Sequence, residues 1–385
     1  MAPKSRLKPA ARTIKQLQAS LQRLQVQIEA LGKEQEWLTV RRCGAALRLR
    51  HCDTLLAVAA GLRGGEAAAE MRAALRSAAG AGADAVNGGA TCCCPPLGWS
   101  PELALDIARR EDLSRLLTTP GLRREIRLFA SSAGVLVQRV RFRAPDAGRA
   151  AEELGRLRAR LCALVGLGLL VGDLMPLSEV LTRALDEDDP EAAADGAAAL
   201  RPPAADVPLA HWLWAAAQLK LSPSQEEHVS IMLEVHCARQ QQLQARIVEL
   251  LQRCAAAGDL GARGALVEEL TAAQRLFQVE NILTSLSVYT LVRADQFAAY
   301  WVAAWPYAPT VLGLNNTLKL LRERRGASEA PTAAAMAAAA SSGGSARSGG
   351  GCRDVDCGQA AAGRASGNSS GVDDRIQPTD SLMRL

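Results

Sequence analysis

Residues 13–38 read TIKQLQASLQRLQVQIEALGKEQEWL. Their apolar residues return after three and then four positions: Ile14, Leu17, Leu21, Leu24, Ile28, Leu31 and, past Gln35, Leu38. In a seven-residue helical repeat this puts Leu17, Leu24, Leu31 and Leu38 at position d, and Ile14, Leu21, Ile28 and Gln35 at position a. Isoleucine at a with leucine at d favours two parallel strands, and a polar Gln35 at a lowers stability while selecting one register. A stripe this narrow on a lone helix would stay wet. The spacing therefore predicts a leucine-zipper coiled coil over residues 13–60, with those residues as its dimerisation seam. The other possibility is that the stripe packs onto later helices of the same chain.

Partner choice is weakly encoded. Positions e (Gln18, Gln25, Gly32, Thr39) and g (Thr13, Ser20, Gln27, Glu34) carry almost no charge, so ion pairs between helices cannot select a partner. A homodimer and a heterodimer with another zipper protein both stay open. Gly32 also weakens the helix by roughly 1 kcal/mol relative to alanine.

Ahead of the seam, residues 1–16 hold Lys4, Arg6, Lys8, Arg12 and Lys15 and no acidic residue. Such an arm, disordered over 1–12, suits an anionic surface. These five cations are expected to make weak phosphate contacts indifferent to DNA sequence, or simply to form a solvated tail. No apolar signal-peptide core follows Met1. The cysteines fall in no disulfide framework, which fits a reducing compartment. The longest apolar run, Leu161 to Gly172, is too short to span a bilayer and stops at Asp173. A soluble intracellular chain without a membrane partner is expected.

Beyond the seam the chain divides by composition. Residues 64–100 are rich in Gly and Ala and end in Cys92-Cys93-Cys94-Pro95-Pro96, as a linker would. Residues 101–185 carry helical patterns such as Leu154, Leu157, Leu161 and Leu164, and an acidic, Pro-interrupted linker covers 186–206. Aromatics make up only 3% of the chain, and most lie between Trp212 and Tyr307, which places the best-packed domain at 207–325. There Ser222-Pro223-Ser224-Gln225-Glu226 reads as a helix start, with Ser222 as cap and Pro223 in the first turn. A long helix should run towards Cys254, break over Gly258 to Gly264, and be followed by a second over Ala265 to Val292. Phe297, Trp301 and Trp305, four apart, should form a core stripe on a third. From Gly326 the tail is Ala, Ser and Gly, and is expected to be disordered. No segment alternates as a strand would, so the fold class is all-α.

A basic arm leading into heptad leucines resembles the bZIP transcription factors. Glu34-Gln35-Glu36-Trp37-Leu38 followed by Arg41-Arg42 is similar to zippers of bZIP-like proteins from plants and green algae. The Trp212–Trp214 pair, Ser222 helix start and Ala304-Trp305-Pro306-Tyr307 segment loosely resemble the helical domain of the dormancy type found in the plant TGA subgroup. The resemblance implies a DNA-reading helix with an arginine ten residues before the first zipper leucine and an asparagine further upstream. Here the arginine position is Leu7, the asparagine position falls ahead of Met1, and Pro9 interrupts the helix. What the resemblance then implies is a regulator with little sequence-specific DNA reading of its own.

No catalytic constellation emerges. His51, His211, His228 and His236 lie in no HExxH motif and beside no nucleophile elbow. The pairs His51-Cys52 and His236-Cys237 point to different helix faces. Neither Cys92 to Cys94 nor Cys352 and Cys357 has the spaced pairs of a zinc site. No catalytic residue, metal, cofactor or small-molecule substrate is expected. The reading that results is a dimerising, bZIP-like regulator in the nucleus. The alternatives are a cytoplasmic coiled-coil scaffold, and a full DNA-binding bZIP protein whose start is cut short.

Overall fold

The computed structural model describes residues 7–62, 66–83, 95–171, 175–186, 202–311 and 313–325. Among them every regular element is helical, so the chain is all-α. Helix α1 runs unbroken from Leu7 to Gly61. It is followed by α2 (Glu66–Ala83), α3 (Pro101–Arg110), the single turn α4 (Leu113–Leu116), α5 (Thr119–Arg141), α6 (Ala147–Val171) and α7 (Met175–Thr182). After a short 3-10 turn come α8 (Leu209–Ala217), α9 (Pro223–Ala256), α10 (Leu260–Leu291) and α11 (Ala294–Ala304). The last, α12, covers 313–325. The tail from 326 and most of the acidic linker expected at 186–206 lie outside the described residues.

Local chemistry accounts for the helix ends. The Ser222 hydroxyl accepts from the Gln225 N–H at 3.2 Å and the Gln225 side chain accepts from the Ser222 N–H at 3.1 Å, closing the box that opens α9. Ala257 to Asp259 suffice to separate the two helices, because the Asp259 carboxylate caps α10 through the Ala262 N–H. Gly261 and Gly264, expected in the break, are therefore helical. At Gly98 the backbone has φ +75°, and a Cβ there would sit 2.8 Å from Arg158 Nη2. Arg158 needs that space, since it donates to the carbonyls of Tyr289 (3.2 Å) and Val292 (2.7 Å) that end α10.

Packing corrects the expected division of the chain. The segment 64–100 contains α2, whose Met71, Leu75 and Ala78 are buried, and Trp99, also buried. One hydrophobic cluster joins Cys52, Leu55 and Val58 of α1 to Leu75 of α2, Phe129 of α5 and Leu164 of α6. The same cluster takes in Leu233 of α9, Leu283 of α10, Phe297 of α11 and Leu318 of α12. Residues 207–325 thus share their core with the second half of α1 and with α2, α5 and α6. The aromatic stripe is part of it: Phe297 and Trp301 are buried and meet Phe129 at centroid distances of 5.7 and 5.9 Å. Trp305 lies just past the end of α11 as its C-cap, half-buried.

Candidate coiled-coil interface

Every residue from Ile14 to Thr39 is exposed. The apolar side chains of the seam, Ile14, Leu17, Leu21, Leu24, Ile28, Leu31 and Leu38, are 51% to 68% exposed. Gln35 lies exposed among them. The chain's described helices leave this stripe uncovered, so packing onto the same chain is not the arrangement found. A Cβ added at Gly32 would meet nothing within 4 Å. Near the end of the seam the Arg41 guanidinium lies 4.4 Å from the centre of the Trp37 ring, a cation–π contact that covers one face of the indole.

From Val40 the same helix changes role. Val40 is 2% exposed and Leu47 0%, and Gly44, His51, Leu55 and Val58 are buried with them. The zipper expected over 13–60 is thus a seam only to Leu38; the remainder is core. Val40 lies two residues beyond Leu38, and at 100° per residue that is about 200° around the axis. Leu47 lies nine residues beyond Leu38, which returns to the same opposite side. Seam and core stripe therefore occupy opposite faces of one helix. At Gly44 a Cβ would stand 3.0 Å from Met232 Cγ, so α9 approaches α1 there closely.

Buried polar groups fix the core half of α1 in place. Arg48 pairs with Glu280 of α10, a carboxylate only 1% exposed, and Arg239 Nε of α9 lies 3.8 Å from the same group. Trp99 Nε1 donates to His51 Nδ1 at 3.3 Å, leaving Nε2 to donate to Thr290 Oγ1 at 3.1 Å. Thr290 in turn donates to the Leu286 carbonyl at 2.9 Å. Every polar atom in this chain has a partner only if His51 is neutral. Burial pulls the His51 pKa down to about 4, with a smaller push from Arg50. His236, whose Nδ1 lies 3.0 Å from Thr284 Oγ1, is also held at about 4, first by burial and then by Arg48. Cys52 and Cys162 are pushed up to about 12 by burial, which makes them packing residues and not nucleophiles.

Of the expected phosphate contacts, Lys15 sits exposed on α1. Lys8 and Arg12 fall on its first turns, and Lys4 and Arg6 lie outside the described residues, as do Cys92 to Cys94, Cys352 and Cys357. Helix α1 starts two residues ahead of Pro9, which is then in the first turn, where a missing N–H breaks no helical bond. Among the described residues no three His, Cys, Asp or Glu side chains gather as a metal site, and no helix is long and apolar enough to cross a membrane. The opposite-face core stripe and its Arg48–Glu280 lock were missed from sequence, although Val40, Leu47, Leu55 and Val58 carry a helical spacing. No family model matches the chain, and neither a curated protein nor a solved structure is detectably similar to it.

Proposed function

We propose that this chain is a dimerising regulator whose α1 seam, Ile14 to Leu38, receives a partner helix as a parallel two-stranded zipper. The observation that carries this reading is the uncovered seam on the face of α1 opposite its buried stripe. The apolar seam side chains, 51% to 68% exposed, amount to on the order of 700 Å² per copy, close to the ~800 Å² per side of a stable interface. Gln35 favours the parallel, in-register arrangement. There its amide faces the equivalent amide of the partner, whereas antiparallel alignment of the apolar layers sets it against Leu17 and leaves it unpaired. A second copy also introduces no like-charge pair, since Glu34 at g faces Thr39 at e.

The regulator works, in this reading, through its zipper and helical body, with Lys4, Arg6, Lys8, Arg12 and Lys15 touching phosphates weakly and without sequence preference, in the nucleus. Of that arm, Lys8, Arg12 and Lys15 lie on α1, and Lys15 is exposed. Sedimentation across a range of concentrations tests the zipper: the wild type associates, and Leu24→Ala with Leu31→Ala abolishes it, each lost leucine removing about 2–5 kcal/mol. A wild type that stays monomeric, alone and against a panel of zipper peptides, overturns the reading. Localisation of the tagged chain to the cytoplasm alone would favour a scaffold instead.

A further inference from the structure

Helix α5 carries a second uncovered row. Leu128, Val135 and Phe142, the last as the C-cap of α5, are spaced seven apart and are 52%, 57% and 81% exposed. Ser131 and Gln138, also exposed, fill the alternate three-and-four positions between them, and exposed Arg124 begins the same row. The opposite side of the helix is core, through Ile126, Phe129, Ala133 and Val137. Beside the row, α5 and α6 enclose a cleft of about 170 Å³ lined by Leu128, Phe129, Ser132, Leu157, Leu161 and Leu164, together with Glu125 and Arg160.

The charges that stand around the row are mostly positive. Glu125 is the only acidic residue of α5, and Arg160 holds it at 2.9 Å, together with Glu111 at 2.9 Å. Arg124 and Arg143 stand exposed at the two ends of the row, and Arg139, which bonds Asp146 at 2.8 Å, stands exposed beside it. We infer that the α5 face, from Arg124 to Arg143, is a docking site for an acidic amphipathic helix of a partner protein. The partner lays apolar residues of seven-residue spacing along Leu128, Val135 and Phe142. It seats one large side chain in the cleft and sets its carboxylates against the arginines. A repeat of seven broken by Ser131 and Gln138 matches the face of a helix; a bilayer would reward a continuous apolar side. This surface is separate from the zipper seam and does not depend on it.

The test uses the full chain carrying Leu24→Ala and Leu31→Ala, so that the seam does not compete for the probe. The probe is a fluorescent helical peptide with leucines at three-and-four spacing and glutamates on both flanks. Its counterparts are the same peptide with lysines for glutamates, and vesicles of phosphatidylserine and phosphatidylcholine. The acidic peptide is expected to bind saturably and the lysine peptide not. Leu128→Ser with Val135→Ser and Phe142→Ser should weaken binding about tenfold or more, as loss of interface anchors does, with an unchanged melting temperature. Arg124→Glu with Arg143→Glu should move the preference towards the lysine peptide. Equal binding of both peptides, or binding indifferent to these substitutions, overturns the inference. Vesicle binding lost in the serine variant, without peptide binding, overturns it in favour of a lipid surface.

Discussion

At the scale of single residues, the buried histidines make stability depend on pH. His51 and His236 have folded pKa values of about 4, against an ordinary value of 6.5. Below pH 6.5 the unfolded chain therefore takes up protons that the folded chain refuses. Stability falls as pH falls from about 6.5 to about 4, where the folded imidazoles charge as well. At pH 5 each histidine should have removed about 2 kcal/mol relative to pH 7. Melting curves at the two pH values check this: His51→Gln with His236→Gln should lower stability at pH 7 but flatten the loss between pH 7 and 5. Glu226 acts in a lower window. Burial opposes its charge, yet Arg325 and Arg322 hold its carboxyl below the usual range, so its contribution is lost only as acid protonates it. A steric case stands beside these. At Gly121 a Cβ would collide with the carbonyl oxygens of Arg115 and Leu116. Gly121→Ala should then cost about 1–3 kcal/mol in thermal or denaturant unfolding.

At the scale of elements, α1 is one helix with two duties. Gly32 lies in the seam half, where an added Cβ meets nothing. Gly32→Ala should therefore raise helicity and strengthen association by roughly 1 kcal/mol per chain, read as a shift in the dimer dissociation constant. A loss of association would mean that the partner helix approaches Gly32 too closely for a methyl group. The seam itself was legible in the sequence because its spacing is local: Ile14 through Leu38 repeat without a gap. The capped start of α9 at Ser222 was legible for the same reason, since Ser222, Pro223 and Gln225 act on neighbouring backbone. The end of the seam was not. Beyond Leu38 the three-and-four spacing runs on through Arg42, Ala45 and Leu49, while Val40, Leu47 and Leu55 begin a second stripe half a turn away. Which stripe is buried depends on Met232 and Glu280, more than 180 residues downstream. Helix α2 was missed because alanine and glycine look like a linker, although Met71 and Leu75 are the residues that pack.

For the whole molecule, the shared core decides which fragments can fold. Aromatic density suggested that 207–325 stands alone, but aromatic residues mark where large side chains are, not where a core ends. Phe297 and Trp301 pack on Phe129 of α5. Thr290 is bonded to His51 of α1, and Glu280 is buried against Arg48 of the same helix. Cutting the chain at 207 would strip these partners away and leave Glu280 without Arg48, a buried carboxylate that has lost a charge partner. A fragment of residues 207–325 should accordingly show no cooperative melting transition. Trp301→Ala in the full chain should cost about 3–5 kcal/mol. A cut at 39 differs in kind, because every residue it removes from Ile14 onwards is exposed. Deleting residues 1–39 should leave the melting temperature of the helical body within a few degrees of the wild type and abolish association. Deleting residues 1–61 takes Val40, Leu47, Leu55 and Val58 with it, and should unfold the chain. If the second deletion melted like the first, the core half of α1 would be dispensable packing. The two faces of this helix would then not join association to the fold.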